Sequence, residues 1–323
     1  MSQHPKNIYE QQSANRRKTF LVMALFALFA GALGAGLDVF FLGFGQDGVP
    51  FPLGTFAALT AGTVSAVWSL QSGAAAVLSS SCARPVPEDD PRYQQLRNIV
   101  DEMSIASGLP HPRLFVIPDL DPNAFATGKD PDHASIAVTE GLVDRLSRDE
   151  LQGVIAHEMS HVRNYDIRVM TVVAALIGAI ALISEFGLRT FRFGSSRGKG
   201  SQDRRGGGGG PILLVVWFVA MLLAPAISQL LAMAISRRRE YLADASGAEL
   251  TRNPSALASA LEKIDGATEP TRLIKKGTGH LCVADPLGRP ANAKEGFFAD
   301  LFSTHPPIAK RIFLLKAMAY QHI

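Results

Sequence analysis

Four runs of this 323-residue chain carry no charged side chain and are long enough, or nearly so, to cross a bilayer as helices: residues 19–37, 51–81, 169–183 and 211–236. Hydrophobic residues make up 47% of the chain, a high share for a freely soluble protein, and these runs hold much of it. The first run could also be a cleavable signal peptide headed by Arg16, Arg17 and Lys18, but it is longer than the roughly 7–15 apolar residues of such a segment, so an uncleaved anchor is expected. The tail before it carries Lys6, Arg16, Arg17 and Lys18, whereas the segment between the first two runs has Asp38 and Asp47 and no Lys or Arg. By the positive-inside rule the N-terminus and the region after Ser81 lie in the cytoplasm. The loop between the last two runs is rich in Gly and Arg and strains that rule. Either it is translocated despite its charge, or the last two runs form a hairpin that does not fully cross.

The net charge of +3, with no basic stripe interleaved with aromatics, argues against nucleic acid as a partner. Cys82 and Cys282 are too far apart in sequence for a metal-type pair and too few for a disulfide framework, as in a reducing compartment.

Between the second and third runs the composition turns globular. A helix is expected over 91–106, then short strands over 113–117, 123–127 and 134–139, separated by Pro, Asp and Gly. Ser147 and Glu150 have the spacing of a capping box, which starts a helix that runs through LQGVIAHEMSH. On that helix His157 and His161 are four residues apart and share a face, so two imidazoles can hold one zinc ion, with Glu158 beside them as general base toward a metal-activated water. Asn164 and Ile167 stand where a metzincin would have Gly and His, which excludes that class.

For a third protein ligand two carboxylates compete, Glu185 and Glu240. If the helix of His161 continues into the third run, Glu185 lies about 36 Å away along it. Glu240 returns to His161 if the third and fourth runs form an antiparallel hairpin, because the midpoint between 161 and 240 falls in the glycine-rich loop. The same hairpin brings Asp244, one turn beyond Glu240, close enough to orient a ligand imidazole. Further helices are expected after Asn253 and Pro254, and after Pro306.

The segments NAFATG, HEMSHVRNYD, SRRREYLADA and STHPPIAKRI, in this order and spacing, resemble the HtpX family of membrane-bound zinc metalloproteases, which are related to the CAAX prenyl proteases. The resemblance spans nearly the whole chain. It implies Glu240 as third zinc ligand, Asp244 as the carboxylate behind a ligand histidine, and Asn123, Ala124, Phe125 and Ala126 as substrate-binding residues on an edge strand. It also implies His305 as a catalytic donor to the oxyanion and Arg311 as transition-state support. The loop over 188–210 is longer and more basic than the family pattern.

The expected protein is mainly α, of the α+β class, with multi-pass membrane helices and a zincin-type catalytic domain containing a small β-sheet. Its parts are a tail with two transmembrane helices (1–81), a first catalytic part with the HExxH helix (82–166), a hydrophobic hairpin (167–236), and a second catalytic part with the third ligand (237–323). The expected function is a zinc-dependent endopeptidase, one Zn²⁺ per chain, of the bacterial inner membrane with its site at the cytoplasmic face. Its substrates would be damaged or misfolded membrane proteins. A CAAX-type processing protease and a zinc-binding chaperone or scaffold without catalysis are the alternatives; the absence of a Cys or His near these motifs to close the coordination sphere favours catalysis over the scaffold.

Overall fold

The computed structural model describes residues 8–40, 51–194, 237–268, 271–274, 278–284 and 306–321. The fourth apolar run, most of the Gly/Arg-rich loop and His305 lie outside the described residues. The chain divides into two compact units, one of Met1–Thr19, Leu70–Ala175 and Ala232–Ile323, the other of Phe20–Ser69 and Leu176–Leu231.

Helices α1 (Ile8–Phe40) and α2 (Leu53–Ser80) run against each other in the second unit, which contains residues 20–40 of the one and 53–69 of the other. Asp38 closes their turn by accepting bonds from the backbone N–H groups of Gly54 and Thr55, both 2.7 Å, at the start of α2. There it satisfies donors that a helix N-terminus leaves without partners. Tyr9–Ala35 and Leu53–Ser80 are long and apolar enough to cross a membrane. Phe20, Leu21, Leu28, Phe56, Val64 and Trp68 on them are more than half exposed, as side chains facing lipid are and core side chains are not.

The first unit contains the sheet, with strands β1 (Arg84–Pro85), β2 (Arg113–Ile117), β3 (Ala124–Thr127) and β4 (Ser135–Thr139) in the order β1-β2-β4-β3. The β2 and β4 strands are parallel and the other two pairs antiparallel, so β3 is an edge. Helix α3 (Gln94–Ser107) buries Leu96, Ile99, Val100 and Met103, one apolar face at helical spacing, and ends at Gly108 with φ +66°. The helix expected from residue 91 opens as a 3-10 turn over Pro91–Tyr93, because Pro91 and the Asp90 side chain, which accepts from Arg92 N–H, set a tighter first turn.

Helix α4 (Glu140–Arg145) leads to α5 (Arg148–Arg163), the axis of this unit. The expected capping box is present: Ser147 N–H donates to Glu150 Oε2 at 2.7 Å, and Glu150 N–H to Ser147 Oγ at 3.4 Å. Residues 150, 151 and 153–162 of α5 are all buried, against α3, β3 and two later helices, α7 (Arg237–Thr251) and α8 (Pro254–Asp265). Between them α6 (Asp166–Gly194) starts at Asp166 and contains the third apolar run. The α7 helix can lie against α5 because Gly247 has no side chain; a Cβ there would stand 3.1 Å from the His157 backbone nitrogen. As expected, Asn253 caps α8, accepting from Ala256 N–H at 3.1 Å. The last described helix, α9 (Ile308–Gln321), packs on α7 and α8.

Glu150 joins the start of α5 to α8 by accepting from Ser259 Oγ at 2.6 Å and Lys263 Nζ at 2.7 Å. Burial alone would raise its pKa, but these bonds and those from Ser147 outweigh it and bring it down to about 2. A depressed carboxylate stabilises the fold above its unfolded pKa and loses that contribution as pH falls. Glu150→Gln should therefore cost about 1–3 kcal/mol near pH 7. The thermal unfolding midpoints of wild type and variant in detergent should converge as pH falls from about 4.5 toward 2.

Candidate metal centre

The expected donors come from two helices of the first unit. His157 and His161 lie one turn apart on α5, and Glu240 lies in the first turn of α7; all three are buried. Their Nε2 atoms are 3.3 Å apart, and Glu240 places Oε2 at 3.8 Å from His157 Nε2 and Oε1 at 3.7 Å from His161 Nε2. Donors on one tetrahedral ion at about 2.0–2.1 Å stand about 3.3–3.4 Å apart, so this set matches a zinc-sized cation with little adjustment.

Behind each imidazole stands a carboxylate. Asp244 Oδ1 lies 3.0 Å from His157 Nδ1, and Asp166 Oδ2 lies 3.2 Å from His161 Nδ1. Each can hold the Nδ1 proton and so leave Nε2 as the lone-pair donor toward a metal. The electrostatics favour positive charge at this point. Burial opposes the charged form of His161, but its bond to Asp166 and the charges of Glu240, Asp166 and Glu158 push its pKa up to about 9. Burial keeps His157 below its usual value, with Arg311 and His161 opposing the pull of Asp244. A cation between the two Nε2 atoms would take the place that such a proton occupies.

Glu158, next to His157 on α5, is 1% exposed, and among the described residues neither of its carboxylate oxygens has a hydrogen-bond partner of good geometry. Burial pushes its pKa up to about 7; Glu240 adds to this, while His161, the Ala126 backbone N–H and Arg311 oppose it. That value lies where a proton can be both taken and returned near neutral pH.

Arg311 on α9 is 1% exposed and forms a paired contact with Asp244, Nε to Oδ2 at 2.8 Å and Nη2 to Oδ1 at 2.7 Å. Its Nη1 donates to Val283 O at 2.5 Å and lies 3.7 Å from Glu240 Oε2. The guanidinium is thus engaged with the carboxylates that surround the histidines. It holds Asp244 at a pKa of about 2 in spite of burial.

Asn123, Ala124, Phe125 and Ala126 are all buried along β3, which packs on α5. The outer edge of β3 is already partly paired: Phe125 bridges Cys282, Ala124 O accepts from Val283 N–H at 2.9 Å, and Asn123 Nδ2 donates to Ala284 O at 2.9 Å. Asp166 and its partners were not anticipated from the sequence, although HEMSHVRNYD ends on it. Asp166 Oδ1 accepts from Arg239 Nη1 at 3.0 Å and Asn15 Nδ2 at 2.7 Å.

With that geometry in place, residues 90–319 match the family model described as "Peptidase family M48". This chain belongs to peptidase family M48. Among curated proteins, the "Protease HtpX homolog" of Caldanaerobacter subterraneus subsp. tengcongensis is 42% identical over 315 residues, 97% of this chain and 98% of that one. The protein of the same description from Tropheryma whipplei strain Twist is 42% identical over 314 residues, 97% of this chain and 99% of that one. A crystal structure of S. mikatae Ste24p aligns at a TM-score of 0.47 and 18% identity over 92% of this chain, which spans 65% of that one. The M48 chain is therefore a metallopeptidase, of the HtpX kind, and its two long apolar helices fit a membrane-associated one.

Arg311→Met should leave Asp244 buried without its guanidinium partner and destabilise the protein by about 3–5 kcal/mol. Adding Asp244→Asn should recover part of that loss, and thermal unfolding in detergent of the two single variants and the double variant measures it.

Proposed function

We propose that this chain is a zinc-dependent endopeptidase of the bacterial inner membrane, holding one zinc ion and hydrolysing peptide bonds of damaged or misfolded membrane proteins at the cytoplasmic face. The observation that carries the reading is the convergence of His157, His161 and Glu240 with Glu158 beside them. Among the described residues this metal-ligating group has three members, whereas a structural zinc site is closed by four, so the open position suits a substrate.

In this reading His157, His161 and Glu240 hold the ion, which when bound supplies Lewis acidity toward water and a carbonyl oxygen. Glu158 takes the proton of the attacking water and returns it to the leaving amine, the role that its near-neutral pKa suits. Asp244 and Asp166 fix the tautomers of the two imidazoles, and Arg311 contributes by keeping Asp244 ionised. Asn123, Ala124, Phe125 and Ala126 are assigned to substrate binding. Because Cys282–Val283 already pair with the first half of β3, a substrate backbone would add at its Ala126 end, whose N–H faces Glu158. His305 is assigned to the oxyanion through the family resemblance.

The same reading combines residues 82–166 and 237–323 into one zincin-type catalytic part, with 1–81 and 167–236 supplying a multi-pass membrane region. Support for the membrane face comes from charge, because the segment before the first apolar run carries Lys6, Arg16, Arg17 and Lys18. Support for membrane substrates comes from proximity, since the third apolar run begins at Val169, only eight residues after His161.

The deciding comparison is detergent-purified wild type against Glu158→Gln, with an unfolded model membrane protein as substrate and zinc content measured on both. Both should bind one zinc, and the variant should cleave roughly 10²- to 10⁴-fold more slowly. If both hold zinc and neither cuts, the protein is a zinc-binding scaffold instead.

A further inference from the structure

Helix α1 begins well before its apolar run, and its first turns belong to the same compact unit as the metal centre. There Asn15 is 4% exposed. Its carboxamide Nδ2 donates to Asn164 O at 2.8 Å and to Asp166 Oδ1 at 2.7 Å. Both partners are pure acceptors, which decides the amide orientation, and both Nδ2 hydrogens are used. Two neighbours dock on the same turn without touching Asp166: Gln12 Nε2 donates to Arg163 O at 2.9 Å, and the Arg16 guanidinium lies 4.6 Å from the centre of the Tyr165 ring.

The turn itself is unusual. The α5 helix ends at Arg163, and Tyr165 takes a left-handed φ of 59° before α6 starts at Asp166. A bulky residue adopts that conformation only when its surroundings hold it there. The reversal brings Asp166 back to His161 Nδ1, and the far oxygen of Asp166 is then gripped by Asn15 from one side and Arg239 from the other.

We propose that Asn15, on the helix leading into the first apolar run, is a positioning residue of the metal centre, holding the Asp166 carboxylate in register with His161. This rests on the reading of His157, His161 and Glu240 as the metal ligands. The first helix is then part of the site as well as an anchor, and tight metal binding depends on its Asn15–Asp166 bond. Outer partners of a metal-bound histidine are worth about 10- to 100-fold in metal affinity. Asn15, acting through one such partner, belongs at the low end of that range.

The test is zinc affinity of the full-length protein in detergent, by competition with a chromophoric chelator, together with the visible spectrum of the cobalt-loaded form. Asn15→Ala should bind zinc about tenfold more weakly and alter the cobalt bands. It should add nothing in an Asp166→Ala background, because its effect passes through that carboxylate. Gln12→Ala, which removes a bond from the same helix to Arg163 O but leaves the Asn15–Asp166 bond, should bind zinc like wild type. Should the alanine variant not fold, Asn15→Leu, close in size and without a donor, carries the same expectation. Unchanged affinity in Asn15→Ala, an equal loss in Gln12→Ala, or full additivity with Asp166→Ala would overturn the proposal. Glu240→Ala serves as the separate check on the ligand reading: if it leaves wild-type affinity intact, that reading fails and the positioning role falls with it.

Discussion

The balance of buried charge governs the first unit. Asp166, Glu240 and Asp244 are each within 3% of full burial, around two buried histidines and beside Glu158. An isolated carboxylate in such a place would cost several kcal/mol, and like charges so close would repel. Their arrangement is stable because cations and donors are distributed among them: Arg311 on Asp244, Arg239 and Asn15 on Asp166, and Arg311 again toward Glu240. The residual excess of negative charge at the histidine Nε2 atoms is what a metal cation would neutralise. The docking of α7 on α5, of α9 on α7 and of the start of α1 on the turn after α5 is therefore tied to the same electrostatics that make the site.

Much of this was legible in the sequence. The Ser147 and Glu150 pair marked the start of α5, four-residue spacing placed His157 and His161 on one face, and a hairpin argument brought Glu240 and Asp244 to them. Each depends on local periodicity or on chain length, which a sequence carries directly. The small sheet was also visible from its β-rich runs, although the parallel pairing of β2 with β4 was not.

What escaped were contacts that depend on a change of chain direction. On a continued helix Asp166 would lie about 140° around the axis from His161, too far to reach its ring. Only the left-handed Tyr165 makes that pair possible, and nothing in Asn-Tyr-Asp announces such a turn. Asn15 was hidden for a related reason: it is separated from its partner by 151 residues and sits in a stretch that reads as a basic flank of a membrane helix. The pairing of Cys282 and Val283 with β3 likewise joins segments far apart in sequence, and it narrows the edge that the family resemblance assigned to substrate.

The all-round burial of α5 bears on how such a protein can diverge. Most enzymes carry their reactive groups at the rim of a fold, where loops drift while the scaffold stays fixed. Here the groups proposed to carry the reaction and the packing core share one helix. A change at Leu151, Val154, Ile155 or Met159 loses core contacts worth about 1–5 kcal/mol, and a change at His157, Glu158 or His161 removes a group of the proposed metal centre. On packing grounds α5 is the element least able to accept substitution, and the edge strand and the exposed apolar helices have more room for it. A reaction carried on that helix would tolerate change in its surroundings far better than change in itself.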